Sequence, residues 1–538
     1  MAEAATRITD VAIVGAGLCG LALARALHAQ GLSVTVIEAR DRLGGRALTR
    51  HCDRTAQALD LGPTWFWPDT EPRMAATLAG LGLPSAPQHD PGDALWLTDP
   101  DRAPERRVEP DGVHAGARRI EGGAARLVDA LAATLPAGCV RTGHALRRVC
   151  DRGHHLALEI ESGGRMQWLR TRHVALALPP RLVHERIAFE PPLPPALVDA
   201  LASTATWMAA QAKAVTSYAQ PFWRAAGQSG NAFVRHAQAV LGEVFDASDP
   251  RTGAGALGGF VALDAAQRAS FRRGMPMLIE SQLAQLHGAA ALQDGVLHFV
   301  DWAEEAWTCA NADRDGPPTL PQSVPALRCA HWSGRLHFGG SESAAHGTGH
   351  MEGALEAAAR IARALAPQRA VIEAPSRNAG APVDFAAAAT ELRMQAPSHY
   401  RRHLTRLMAE QQIEQLTQRA LLATAEQVYS EALVALDVLL DGRAIDASLT
   451  HAGAVQGGRH PSTPALLASF EGWNGQLLSA ALAFNAGSCA LSNFPGEAQP
   501  DSVQQRAIAL DLAAAWREFA VELNARLLAA SFETEASS

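Results

Sequence analysis

Cysteine is scarce in this 538-residue chain: there are seven, at positions 19, 52, 139, 150, 309, 329 and 489, scattered and odd in number. No CxxC pair occurs, so the spacing of thiol-based metal or redox sites is missing and free thiols in a reducing compartment are expected. Long apolar runs are also missing. No stretch reaches the roughly 18 to 20 residues that cross a bilayer, and the opening MAEAATRITD is too polar for a signal peptide. A cytoplasmic location without a membrane partner is the resulting expectation. Nor is there a basic excess: 47 Lys and Arg against 55 Asp and Glu give a formal net charge of −8, which argues against a nucleic-acid partner. Hydrophobic residues make up 48% of the chain, ample for a substantial core spread over roughly two to four domains.

What is present begins with DVAIVGAGLCGLALARAL. It reads as a strand from Val11 to Val14, a tight glycine turn, and a helix with Leu18, Leu21, Ala22 and Leu27 at near-helical spacing. In a dinucleotide site Gly15 permits the turn, Gly17 lets backbone approach a pyrophosphate, and Gly20 lets helix and strand pack. The helix N-terminus adds unpaired N–H groups and positive dipole. A second apolar strand, Val34 to Ile37, delivers Glu38 at the spacing of an acid that grips ribose hydroxyls. By itself the glycine pattern fits an ordinary turn as well.

Directly after Glu38 comes ARDRLGGRAL, and with it the chain resembles the FAD-binding flavoprotein amine oxidase superfamily. The resemblance continues in order through DLGPTWFWP, where Pro63 stands in place of a usual glycine, RRIEGGAARLVDAL, HVALALPPRLV and LHFGGSESAAHGTGHMEG, over residues 8 to 366. It implies an α/β fold: a Rossmann-type FAD-binding domain with an inserted α+β substrate domain. The FAD domain is expected from 1–75, 120–182 and 330–368, and the substrate domain from 76–119 and 183–329. It implies that Gly15, Gly17, Gly20 and Glu38 hold FAD, with Arg40, Gly44, Gly45 and Arg46 along the pyrophosphate and flavin. Gly62, Thr64 and Trp65 would pass beside the flavin. Val149, Trp302, Gly340, Glu342 and Met351 complete the implied FAD contacts.

The family places a lysine eight residues before the proline of a Pro-Phe-Trp turn, and Lys213 with Pro221 matches that spacing. The resemblance implies that Lys213 acts through a water on flavin N5. It puts His350 where an aromatic wall is usual, and Asn311 and Ala312 where some members carry a flavin-linked cysteine and a second aromatic. FAD is therefore expected to be noncovalent, although Cys309, two residues before Asn311 and on the same face of a strand, keeps a linkage open. His350 would stack and could change charge in the working pH range. Trp67, Ala312 and Trp307 are further candidates to meet the substrate, Trp67 sharing a strand face with Trp65.

The implied activity is FAD-dependent oxidation of an amine to an imine that hydrolyses, with oxygen reduced to hydrogen peroxide. A desaturase or dehydrogenase on a non-amine substrate, and a flavin-bound scaffold, remain alternatives; so does a homodimer. Glu304 and Glu305, as strand neighbours, would face opposite ways, and His451 and His460 lack ligand spacing, so no metal site is expected. After a linker at 369–384, residues 385–538 carry helical periodicity from about Tyr400 to Leu440 and from Val503 to Leu528. This extension resembles no family. Its Gly, Ser and Pro-rich stretch from His451 to Gln476 reads as a loop over the substrate entrance.

Overall fold

The computed structural model describes residues 8–110, 112–314, 323–345, 347–365, 381–409, 415–441, 459–487, 497 and 500–535. The chain divides into two compact units, Met1–Pro367 and Gln368–Ser538. The first is α/β. Its eight-stranded sheet runs Ala188–Glu190, His144–Asp151, Leu156–Ser162, Arg165–Leu176, Thr9–Val14, Val34–Ile37, Val140–Arg141, with Leu336–Phe338 also paired to Arg165–Leu176. The run VAIV has parallel neighbours on both edges and is buried on both faces, Val11 and Ile13 packing into the core shared with helix Leu18–Ala29 and Ala12 and Val14 into a second core on the other face. Val14 stands opposite both Ile37 and Leu176, so three strands end at one level and the glycine turn begins there. Helices Leu18–Ala29 and Met351–Ala364 share a core through Leu21, Leu27, Leu355 and Ile361.

The second sheet of this unit has seven strands in the order Val296–Asp301, Ala212–Tyr218, Gly255–Val261, Leu241–Asp246, Gln228–Val234, Asp93–Leu97, Glu105–Arg107. Its register sets Lys213 opposite Phe260, Phe260 opposite Glu243, and Glu243 opposite Phe233. Residues directly opposite across paired strands share a face. One row of side chains therefore crosses four strands.

The second unit is helical: Ala381–Ala409, Leu416–Asp441, Thr463–Leu467, Trp473–Gly487 and Ser502–Glu535. The first helix begins inside the stretch expected as linker. The apolar faces close on a core of their own, with Phe385, Leu421, Val428, Tyr429, Phe470, Trp473 and Phe519 buried together. Tyr429 stacks on Phe519 at 4.6 Å and donates its hydroxyl hydrogen bond to Asn474 Oδ1 at 2.7 Å.

The expected entrance loop needs correction. Residues 451–458, including His451, lie outside the described residues, and from Thr463 the segment is mostly helical. Leu466, Leu467, Phe470 and Trp473 sink into the helical core, and Pro464 sits in a first turn where proline is tolerated. The turn-forming residues signalled a loop, but four large apolar side chains outweigh them. Ending the chain after Asn378 should leave a folded protein that elutes as a single species from gel filtration with the flavin that the resemblance implies; an aggregated or colourless product would show that the first unit depends on the second.

Candidate functional site

The glycine turn distinguishes glycines that the fold needs from one that it does not. Gly15 has φ of +100°, and a Cβ there would lie 2.5 Å from the Ala177 carbonyl oxygen. A Cβ on Gly20 would fall 1.9 Å from the Gly15 carbonyl oxygen. Gly17 has an ordinary backbone, φ −77° and ψ −176°, and the nearest atom to an added Cβ is the Gly44 carbonyl oxygen at 3.9 Å. Packing does not demand glycine at 17. The missing side chain instead leaves open space at the start of helix Leu18–Ala29, the cradle that a pyrophosphate requires. Gly45 approaches from the other side, its Cβ position 3.6 Å from the Gly17 Cα, while Gly44 donates its N–H to the Ala16 carbonyl at 2.9 Å. These residues fit the nucleotide portion of FAD.

Glu38 ends its strand with its carboxylate buried and turned back on the turn. It accepts from the Ala16 N–H at 2.8 Å and the Arg40 N–H at 2.9 Å. Arg40 in turn donates to Glu305 at 2.7 Å and to the Thr308 hydroxyl at 2.7 Å. Arg46 grips Glu342 in a two-pronged pair at 2.6 and 2.9 Å and also reaches Ser341 and the Trp207 carbonyl. Glu342 is fully buried. Burial alone would push its carboxyl up, but Arg46 and the surrounding hydrogen bonds hold it below the usual carboxylate range. Gly340, at φ +93°, starts the short turn that presents Ser341 and Glu342.

Lys213 lies on the strand Ala212–Tyr218 and is 2% exposed. Its ammonium donates to the Gly62 carbonyl at 2.8 Å and to the Thr64 hydroxyl, and it sits over the rings of Phe245 and Phe260 at 5.3 and 5.5 Å. Burial pushes its pKa from 10.5 down to about 7, with the Asp60 carboxylate opposing. Lys213 is also the sole lysine of the sequence, every other member of the 47 Lys and Arg being arginine. A guanidinium stays charged at any working pH, whereas an ammonium can lose its proton. That count is a sequence signal independent of the Pro-Phe-Trp spacing.

His350 precedes helix Met351–Ala364, and the ring stacked against it is Trp207, with centroids 6.3 Å apart and planes inclined by 14°. Its Nδ1 lies 3.6 Å from Glu71. The helix that starts beside Glu71, Pro72–Gly80, is capped from the His350 side, because Glu352 accepts from the N–H groups of Arg73 and Met74. Trp207 was not singled out from the sequence; it lies in an aperiodic stretch six residues before Lys213. Trp65 donates to Gln88 at 2.8 Å, stacks on His114 at 4.3 Å and meets Phe245 at 4.6 Å.

Other expected residues fall elsewhere. The Trp65–Trp67 run is not a strand: Phe66 forms an isolated bridge to Arg118, and the two indoles are 6.4 Å apart. Cys309 and Asn311 share no strand face either. Asn311 opens a short helix, Asn311–Arg314, and its N–H donates to Glu185, whereas Cys309 is buried against Ala209 and Ala303 with its thiol pushed up to about 11 by burial. Ala312 is exposed beside Asn311 and accepts from Arg181. Trp307 is covered by the guanidinium groups of Arg186 and Arg147. Glu304 belongs to a 3-10 turn, not a strand, and pairs with Arg272 while Glu305 pairs with Arg40. Val149 is buried in the core of the first sheet, Met351 packs on the helix core, and Trp302 is buried with its indole N–H on the Leu61 carbonyl at 3.0 Å. His460 is buried near Asn524. Six described cysteines are free thiols. Among the described residues no group of three or more His, Cys, Asp or Glu could hold a metal ion, and no helix is long and apolar enough to cross a membrane.

A family model for flavin containing amine oxidoreductases matches residues 105–366, and one for an NAD(P)-binding Rossmann-like domain matches residues 13–81. The chain belongs to the FAD-dependent amine oxidase superfamily. It is an enzyme of the amine oxidase type, and FAD is its cofactor. It is 26% identical to the flavin-containing amine oxidase B of Canis lupus familiaris, the match covering 66% of this chain and 86% of that one. It is 26% identical to the putrescine oxidase of Kocuria rosea, over 64% of this chain and 92% of that one. A solved structure of wild-type putrescine oxidase bound to putrescine superposes with a TM-score of 0.55 at 25% identity, covering 66% of this chain and 99% of that one. The family match stops at residue 366, one residue before the first unit ends.

The enzyme's glycines make a paired test. Gly17→Ala should fold with an unchanged thermal midpoint when stripped of flavin but retain less FAD, whereas Gly20→Ala should fail to fold. Equal FAD occupancy in wild type and Gly17→Ala would contradict the reading of the open space.

Proposed function

We propose that the enzyme oxidises the C–N bond of an amine to an imine, which leaves and hydrolyses to a carbonyl product, with oxygen reduced to hydrogen peroxide in the cytoplasm. FAD, when bound, supplies the acceptor for the hydride equivalent from the amine's α-carbon and hands the electrons to oxygen. The observation that carries this reading is Lys213: a buried ammonium with a lowered pKa, anchored to the loop that contains Gly62 and Thr64 and flanked by aromatic rings. Membership of the superfamily and the likeness to a putrescine oxidase support it.

In this proposal the FAD-binding part is built from 1–75, 120–182 and 330–368. Gly15, Gly17 and Gly20 frame its pyrophosphate, Glu38 accepts from its ribose, and Arg46 lies along its phosphates and flavin. Glu342 holds the Arg46 guanidinium in a fixed plane. The FAD is noncovalent, because Asn311 offers no thiol and the Cys309 thiol is buried away in an apolar cluster. The substrate part, 76–119 and 183–329, brings Lys213 against the loop that carries Gly62 and Thr64, on the flavin side. His350, its ring plane held by Trp207, forms one wall and favours an uncharged amine beside it; Trp65 forms part of another. The chain's own contribution is position and electrostatics.

Lys213 then acts after the amine has been oxidised. Oxygen develops negative charge as it accepts electrons, and an ammonium at Nζ stabilises that charge. The group is charged below about pH 7 and neutral above it, so flavin reoxidation should slow as pH rises through neutrality. Lys213→Met should reoxidise about 10- to 100-fold more slowly at pH 6, lose that pH step, and change anaerobic reduction by amine far less; equal rapid-mixing reoxidation rates would reject the role. An amine panel with peroxide detection tests the activity itself, and acid precipitation should release all FAD into the supernatant. Peroxide from no amine would overturn the reading, and flavin left on the precipitate would overturn noncovalent binding.

A further inference from the structure

The helix Ser502–Glu535 of the second unit carries more apolar surface than its own core uses. Ile508, Leu512, Phe519, Leu523 and Leu527 sink into the helical core. On the opposite face Val503, Leu510 and Val521 are 75%, 62% and 70% exposed, and Ala514 and Ala525 are exposed with them. At about 100° per residue these five fall in one narrow stripe roughly 33 Å long. Single exposed apolar side chains are ordinary, but an aligned row marks a contact surface.

The sequence states the arrangement twice. Eleven residues after Arg506, Leu510 and Asp511 stand Arg517, Val521 and Glu522. A period of eleven is close to three helical turns, so both sets occupy the same positions around the helix. Arg506 and Arg517 line one edge of the stripe; Asp511, Glu518 and Glu522 line the other. Both arginines are exposed, and among the described residues neither has a carboxylate within ion-pair distance, Arg517 bonding only to the Ala513 carbonyl of its own helix at 3.3 Å. The carboxylates are steadied from within the unit. Asp511 accepts from Gln418 at 2.7 Å, and Glu522 pairs with Arg526 at 3.1 Å.

One basic edge and one acidic edge make the stripe complementary to itself, as an interface between identical copies requires. When two such helices lie parallel about a two-fold axis along their length, the basic edge of each meets the acidic edge of the other; in an antiparallel pair, like edges meet. Across a parallel seam a flanking residue faces the one five positions further along the other helix. Arg506 would face Asp511 of the partner subunit, and Arg517 would face Glu522 of the partner subunit. Ala514, small and midway along the stripe, lets the axes approach closely.

We propose that this face joins two copies of the chain, packed parallel through Val503, Leu510, Ala514 and Val521. The helical unit, which lies outside the family match, then serves to pair two flavoenzyme molecules. The pairing does not depend on which substrate is oxidised.

Sedimentation velocity of the full-length holoenzyme at micromolar concentration should give twice the chain mass. Leu510→Glu combined with Val521→Glu should raise the dimer Kd about 100-fold or more, because each change puts a carboxylate in an apolar seam. Both side chains are exposed in the single chain, so flavin content and helical circular dichroism should stay unchanged. Mixing tests the charged edges: a chain with Arg506→Glu and Arg517→Glu, and a chain with Asp511→Arg and Glu522→Arg, should self-associate about 10-fold more weakly and pair preferentially with each other. Mild oxidation tests the direction. Two Leu510→Cys chains should form a disulfide between their substituted positions, identified by peptide mass, because a parallel pair sets equal positions side by side. A monomeric wild type, a dimer that survives the double glutamate change, charge-reversed chains that do not combine, or no disulfide between the two substituted positions would overturn the proposal.

Discussion

A single buried ammonium organises the first unit. Lys213 cannot be hidden without partners, because an unpaired buried charge is costly, and its partners come from the loop between Asp60 and Trp65. That loop is itself pinned. Gly62 admits no side chain, since a Cβ would fall 2.0 Å from the Arg46 carbonyl oxygen, and Trp302 donates to the Leu61 carbonyl. Arg46 is in turn locked to Glu342. The nucleotide turn, the closing glycine segment and the seven-stranded sheet therefore share one network, and each holds another in place.

Much of this was legible in the sequence, where a residue's job depends on neighbours a few positions away. The turn at Gly15, Gly17 and Gly20, Glu38 after its strand, and Lys213 before its Pro-Phe-Trp turn are local patterns with local causes. What was not legible depends on register between distant strands. Nothing in a linear reading places Phe260 opposite both Lys213 and Glu243, or brings His114 and Asp90 to the same point. Trp207 and His350 are brought together from positions 143 residues apart by the Arg46–Glu342 bridge, to which the Trp207 carbonyl also bonds. The strand assumed around Cys309 and Asn311 is a turn and a short helix, held by Arg40 on the Thr308 hydroxyl and by Arg181 on the Ala312 carbonyl and Asp313, while Arg314 of the helix reaches back to the Ala303 carbonyl.

The helical unit shows the opposite case. Its periodicity was plain, yet its loops misled, because Gly, Ser and Pro were weighed above the Leu466, Leu467, Phe470 and Trp473 that pull the segment into a core. Tyr429 at the centre of that core, touching Phe470, Trp473, Trp516 and Phe519, explains why so many helices converge there. The amine oxidase match ends before this unit begins.

Because the chain contains one lysine, the state of that ammonium can be observed directly. Holoenzyme grown with lysine labelled with carbon-13 at Cε gives one side-chain resonance, free of overlap with any other lysine. A pH titration of that resonance should show a midpoint near 7, the lowered value that burial imposes. A resonance that stays in its protonated position up to the ordinary lysine value of about 10.5 would contradict the account, since the ammonium would then be neither desolvated nor poised to respond at neutral pH.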